Sequence, residues 1–267
     1  MILEKTVELI KQIYRYHKIF PPKVTRVIVG SRYTAVEVAA YSYDPFLGLA
    51  YTIPSVVNGN QADLAGLFDN QSLEVLLQWA YNPPSLEKMI GIAAVNALSQ
   101  HILEIINPYK TIKGDIVDYL KIDEDKKVTF IGQIKPLIEH VNRFTDSILV
   151  IDDNPSISEQ STKFPKRNNI SDLEDDEIFT DILFCTGSSL INNTLEEILV
   201  FFRKKSRKTV VIGPSASMIP DILFDSGVDI VGGMTIIDRE STINVIKEGG
   251  GTKMFKNYGE KYNLIKE

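Results

Sequence analysis

The sequence predicts an α/β protein in two parts: a small N-terminal α+β portion, then an open Rossmann-like parallel sheet. Two observations carry this. From Lys127 onward, short apolar runs alternate five times with helical patterns, which is the signature of parallel βαβ units and a doubly wound sheet. Before that point the chain reads as one amphipathic helix, three β-branched runs separated by turn residues, and further helices, an α+β arrangement.

Each element follows from local pattern. Residues 2–17 place Leu3, Val7, Ile10, Ile13 and Tyr14 at helical spacing with charges between them, so they predict an amphipathic helix, which Pro21-Pro22 is expected to stop. Val24 to Gly30 and Ala35 to Tyr41 read as strands, with Ser31 to Thr34 as a hairpin turn. Leu47 to Ile53 reads as a third strand, and Val57 to Asn60 as a loop. Helices are expected over 71–80 and 84–105, the second opened by Pro83-Pro84-Ser85. Beyond Lys127 the expected strands are Val128–Ile131, Ile148–Ile151, Ile182–Cys185, Val210–Ile212 and Asp229–Val231. The helices between and after them run to about Asn142, over Leu195–Phe202, near 217–225 and over Thr242–Lys247. The polar stretch Ser156 to Asp176 reads as an exposed loop with one helical turn. We therefore divide the chain into 1–83 and 84–267, the second part including the connecting helix 84–105.

Composition narrows the function classes. With 44% hydrophobic and 24% charged residues in 267, the chain has a globular balance and enough apolar content for a core. A net charge of −6 makes it a poor ligand for phosphate backbones, so nucleic acid is not an expected partner. The basic run Arg203, Lys204, Lys205, Arg207, Lys208 follows a predicted helix, where cations complement the dipole. One cysteine, Cys185, rules out an internal disulfide and a cysteine-based zinc site. Charges interrupt every apolar stretch at the N-terminus, which does not read as a signal peptide. No run approaches the ~20 apolar residues needed to span a bilayer. The expectation is a cytoplasmic protein without membrane contact, for which self-association is open.

In open parallel sheets, ligands bind outside the C-terminal ends of the strands, where the strand order reverses. Gly132 after the first strand allows close backbone approach. Asp152 and Asp153 follow the second strand, where a ribose-binding acid would stand. Thr186, Gly187 and Ser188 follow the third, and Gly213, Pro214 and Ser215 the fourth. Small residues at helix starts suit phosphates and carboxylates, although the same residue types are ordinary turn and cap formers at any one junction. Gly132 to Pro136 lacks the G-x-G-x-x-G spacing, which weighs against a dinucleotide. His17, His101 and His140 fall on separate predicted helices, and His101 continues an apolar stripe, so it reads as a packed histidine. No H-E-x-x-H occurs, and no metal site is expected. No G-x-S-x-G elbow occurs either, and Cys185, ending a buried strand, reads as an inert core thiol. Asn96, in the small-residue helix Gly91 to Ala97, needs hydrogen-bond partners if buried. It either ties the two parts together or points into a cleft between them.

Several of these stretches together resemble the putative heavy-metal chelation family. They are GIAAVNA at 91–97, TGSSLINNT at 186–194, GPSAS at 213–217, and Leu223 to Asp229 running into Gly232-Gly233, with Arg32 to Val36 and Gly48 to Thr52 near the N-terminus. The resemblance covers nearly the whole chain. It implies an enolase-N-terminal-like domain paired with a Rossmann-like domain and a site between them. It also implies a role in handling metal-chelating small molecules, and it maps onto Asn96, Gly132, Thr186, Gly187, Asn192, Gly213, Pro214 and Ser215.

The expected function is thus a ligand-binding protein or enzyme for a small anionic or nucleotide-like metabolite. Asn96, Gly132, Thr186, Gly187, Ser188, Asn192, Gly213, Pro214 and Ser215 would bind it. Glu37 and Asp152 are the candidate acid/base or hydroxyl-binding groups. No particular cofactor is indicated. The alternatives are a nicotinamide- or adenosylmethionine-dependent enzyme and a non-enzymatic metal-binding protein.

Overall fold

The structure is a computed structural model that describes residues 1–266 except 42, 58–67, 69–70, 113 and 155–162. Of the expected loop at Val57 to Asn60, only Val57 lies within the described residues.

The first helix, α1 (Ile2–His17), buries Leu3, Val7, Ile10 and Tyr14, the stripe that its periodicity demands. It ends at Lys18, whose φ of 54° places it in the left-handed region, so the stop precedes Pro21-Pro22. Strands β1 (Lys23–Val29), β2 (Tyr33–Ala39) and β3 (Phe46–Tyr51) form an antiparallel sheet in that order. Short helices α2 (Pro54–Val57) and α3 (Leu73–Trp79) lead to α4 (Leu86–Ile105). Ser85, rather than a proline, opens α4: its hydroxyl accepts the Lys88 amide at 3.2 Å.

Helix α4 is mostly apolar and buried on all sides, with every residue from Lys88 to Ile102 buried. It therefore has to be covered on every side. The small sheet covers one side so closely that a Cβ on Gly48 would lie 2.0 Å from the Ala93 carbonyl. The corner after α3 covers another, where a Cβ on Gly91 would lie 2.2 Å from the Ala80 amide. The large sheet covers a third, through Leu183, Cys185 and Val211 in the same core cluster. The run of small side chains in α4 is what permits this backbone contact, and α4 is shared by the two parts.

The second part continues with β4 (Lys110–Thr111), α5 (Ile116–Tyr119), β5 (Val128–Ile131), α6 (Lys135–Val141), β6 (Ile148–Ile151), β7 (Lys166–Arg167), β8 (Thr180–Thr186), α7 (Leu195–Phe202), β9 (Ser206–Ile212), α8 (Asp221–Asp225), β10 (Ile230–Ile236), α9 (Arg239–Lys247), α10 (Thr252–Phe255) and β11 (Gly259–Ile265). Its eight strands run β4-β11-β10-β9-β8-β5-β6-β7. The six from β10 to β7 are parallel, and β11 and β4 close one edge antiparallel. Side chains alternate cleanly between faces. Phe130, Val150, Phe184 and Val210 pack with α5 and α6, whereas Ile131, Ile151, Cys185 and Val211 pack with α4, α7 and α8. Helices cover both faces, and the strand order reverses between β5 and β8. Five parallel strands were expected. The additional one, β7, lies inside the polar stretch after Ser156, whose helical turn is the 3-10 turn Ile170–Asp172. Among the described residues, no helix is long and apolar enough to cross a membrane.

Candidate functional site

The reversal between β5 and β8 is where an open parallel sheet is expected to hold a ligand, and residues from four strand ends follow one another along this edge. At one end is Asp152, just past β6. Its Oδ2 accepts the Gln133 amide at 2.7 Å and its Oδ1 accepts the Asn154 amide at 2.9 Å. The carboxylate thus clasps the turn after β5 to the turn after β6. Next is Gly132, with φ +87°, where a Cβ would lie 2.6 Å from Thr186 Cγ2. Only glycine accepts both that conformation and that contact. Thr186 shares a 2.8 Å hydrogen bond with Ser188, hydroxyl to hydroxyl, and its carbonyl accepts Ser189 Oγ at 2.6 Å.

Gly187 then packs against the turn after β9, where a Cβ on it would lie 2.7 Å from the Ala216 amide. That turn begins at Gly213, with φ +125°. Ser215 Oγ accepts the Tyr51 amide of β3 at 2.8 Å. Asn96 of α4 completes the row: its Nδ2 faces the carbonyls of Leu49 at 2.7 Å, Ser215 at 3.1 Å and Pro214 at 3.3 Å. Asn96 is fully buried, and its Oδ1 has no hydrogen-bond partner. One amide therefore joins β3, α4 and the turn after β9, with one acceptor left over. Of the two sequence alternatives for Asn96, the geometry is that of a tie between the two parts: the side chain is buried and does not open into a cleft.

Gly132, Thr186, Ser188, Gly213 and Pro214 are all partly exposed at this edge. Asn192 ends the turn that begins at Ser188, with its amide on the Ser188 carbonyl at 3.1 Å and its side chain exposed.

The structure does not bring Glu37 to this edge. Glu37 is buried on β2. It takes Arg26 in a two-pronged contact at 2.9 and 2.5 Å, takes Thr25 Oγ1 at 2.7 Å, and stands 3.9 Å from Arg239 of α9. Burial acts to raise its pKa, but Arg26 and Thr25 outweigh it and hold the carboxyl below its ordinary range. Arg239 follows β10, and β10 is four strand spacings from Asp152 on β6, about 19 Å. The two acids therefore cannot act on one small substrate.

Sequence reasoning passed over Lys88, which is fully buried near the turn after β8. A signal existed: a helix with apolar residues on all sides leaves no solvent face for a lysine three positions past its cap. His101 is the packed histidine its stripe indicates. Its Nδ1 lies 2.8 Å from the Tyr14 hydroxyl, and burial pushes its pKa down to about 4.

Two family models match the chain, over residues 17–99 and 115–265, and both are described as putative heavy-metal chelation. An uncharacterized protein of Methanocaldococcus jannaschii is 26% identical over 223 residues, covering 82% of this chain and 81% of that one. Two crystal structures of proteins of unknown function share the fold. One, from Pyrococcus horikoshii, has a TM-score of 0.77 at 22% identity and full coverage of both chains. The other, from Desulfitobacterium hafniense, has a TM-score of 0.73 at 18% identity, covering 96% of this chain and 98% of that one.

Among the described residues, the side chains do not assemble a heavy-metal centre. The histidine and cysteine donors are His17, His101, His140 and Cys185, which lie on α1, α4, α6 and β8. Burial drives the Cys185 thiol strongly toward its protonated form. Among the described residues, no three His, Cys, Asp or Glu side chains converge. The strand-end row offers hydroxyls and backbone instead.

Proposed function

This chain belongs to the putative heavy-metal chelation family, and on that footing we propose that it binds, and in an enzymatic reading transforms, a small anionic metabolite in a crevice between its two parts. One observation carries the reading. Gly132 and Gly213, both with positive φ, flank the Thr186–Ser188 hydroxyl pair at the point where strand order reverses. Glycine there lets an anionic oxygen approach the backbone, and the hydroxyls supply donors. Asn96 and Ser215 hold the other part against this edge, so the crevice has walls from both. The donor set favours a metabolite that itself chelates metal, or a cofactor-like compound, over direct metal binding. The finer description of the parts as enolase-N-terminal-like and Rossmann-like, and a cytoplasmic location, belong to the same proposal.

A nicotinamide- or adenosylmethionine-dependent enzyme is a second reading. Asp152 favours it, because it ends the strand beside β5, where a ribose-binding acid stands in doubly wound folds. Its carboxylate already accepts two backbone amides, and this ranks the reading second.

Native mass spectrometry of gently purified protein, before and after denaturation, tests both. An organic anion released at one per chain supports the first reading, and a dinucleotide or adenosylmethionine supports the second. A stoichiometric metal without an organic ligand would overturn both.

A further inference from the structure

Behind the turn that follows β8, one buried charge lacks a counter-ion at contact distance. The Lys88 ammonium donates to the Ala80 carbonyl at 3.1 Å, the Asn82 carbonyl at 3.0 Å and Asn193 Oδ1 at 2.8 Å. All three acceptors are neutral. Glu196 acts on the ammonium through space only, and burial pushes the lysine pKa down to about 8. Buried charges are ordinarily paired. Asn193, which caps the ammonium, is exposed and sits at φ 61°, a left-handed conformation that asparagine tolerates better than most residues.

A cavity of about 160 Å³ adjoins this ammonium, enough for roughly five waters at about 30 Å³ each. Lys88 and Asn193 supply its polar side, and Ile2, Leu3, Leu190 and Leu195 its apolar side. Glu196 also lines it, and its Oε1 accepts the Ile2 amide. Lys88 is the buried cation against these aliphatic walls; the Met1 ammonium, also at the lining, is exposed and faces Glu4 at 3.6 Å. With Glu196 already present, the site suits a ligand carrying one negative charge and a short alkyl end. A dianion would meet Glu196.

We propose that this cavity is a second ligand site, taking a short-chain monocarboxylate whose carboxylate meets Lys88 in place of Asn193 Oδ1 and whose alkyl end lies among Ile2, Leu3, Leu190 and Leu195. The site shares the turn Gly187–Leu190 with the crevice: Leu190 lines the cavity, and Ser189 Oγ bonds the Thr186 carbonyl.

Isothermal titration of the full chain at pH 7 with propionate, and with propionamide as its neutral counterpart, tests this. Propionate should bind saturably at one per chain, and propionamide about tenfold more weakly, as expected when a neutral carbonyl replaces a carboxylate as acceptor from the ammonium. Glu196→Gln keeps Lys88 and its acceptors, and should tighten propionate several-fold. Lys88→Met should abolish binding, with circular dichroism reporting whether it folds. The proposal fails if neither wild type nor Glu196→Gln binds propionate, if propionamide binds as well, or if folded Lys88→Met still binds. Should Lys88→Met not fold, wild type and Glu196→Gln decide.

Discussion

Replacing Asn96 by aspartate exchanges an NH₂ for an oxygen at the place where α4, β3 and the turn after β9 meet. The two hydrogens of Nδ2 serve three carbonyls, so the change removes two neutral hydrogen bonds, about 1 kcal/mol each. It also sets a carboxylate against carbonyl oxygens in a site of zero exposure, a buried uncompensated charge worth about 3–5 kcal/mol. The expected loss at pH 7 is about 5 kcal/mol, a large part of an ordinary domain's stability. Its pH dependence has a definite sign. The folded state raises the new carboxyl's pKa above its unfolded value near 3.9, so the associated stability is present below that value and is lost as pH rises through the folded one. The deficit should therefore narrow to about 2 kcal/mol near pH 4. Asn96→Leu loses the same two bonds and leaves their carbonyls without a donor, but also removes the unpartnered Oδ1, whose burial costs about 1–3 kcal/mol, so it should cost about 2 kcal/mol, independent of pH and less than Asn96→Asp at pH 7. Urea unfolding at pH 7 and pH 4 measures both. An Asn96→Asp protein within 1 kcal/mol of wild type at pH 7 would refute the assignment of Nδ2 as the joint between the parts.

Gly132→Ala combines a positive φ with a contact on Thr186 Cγ2 and should cost about 1–3 kcal/mol in denaturant unfolding. Adding Thr186→Ser removes the methyl and should restore part of that cost, and no recovery would mean the contact is unimportant. Glu37 has a lowered pKa, so its contribution is present above the ordinary value near 4.5 and disappears as pH falls through the folded value. Glu37→Gln should flatten that acid limb in thermal scans at pH 3–6, and an unchanged limb would argue against the ion pair. Lys88 has a folded pKa of about 8 against 10.5 ordinarily. Between those values the unfolded chain binds more protons, so the lysine's contribution to stability should rise with pH. Lys88→Met should lack that rise in urea titrations at pH 7.5–10, and an identical profile would contradict the burial of the ammonium.

How much of this was legible in the sequence depends on where the information lies. Helices α1 and α7 and strands β5 and β6 occur at the bounds their patterns predict. Each is an apolar pattern closed by strong local punctuation. Strand β10 extends past Gly232-Gly233 to Ile236, although a glycine pair resembles a turn. The reason is tertiary: a Cβ on Gly233 would lie 2.3 Å from the Tyr262 hydroxyl of β11, so glycine makes room for a ring 29 positions later in the chain. Strand β7 is the pair Lys166-Arg167, and β11 mixes Glu260 and Lys261 with Tyr262, Leu264 and Ile265, too short an apolar pattern to stand alone; partners on a neighbouring strand define them. At the candidate site, the strand-end rule located Gly132, Thr186 and Gly213 because backbone position alone decides them. Glu37, proposed as an acid on residue type alone, lies instead in an ion pair with Arg26, because nothing local indicates which face of the small sheet meets α9. The Lys88 cavity is assembled from α1, α4 and the turn after β8, and no local window contains it.

Strand β11 lies between β10 and β4, and the Ile112 amide bonds the Asn263 carbonyl at 2.9 Å. The segment that follows α4 is thus stitched to the sheet by residues that emerge from the ribosome after the other described strands. During synthesis the small sheet and α4 can associate early, while Lys110 to Ile112 waits for a partner about 150 positions downstream, a long loop to close. Nascent chains stalled before Gly259 should therefore be cut by protease near residue 110, and release of the last strand should protect that point.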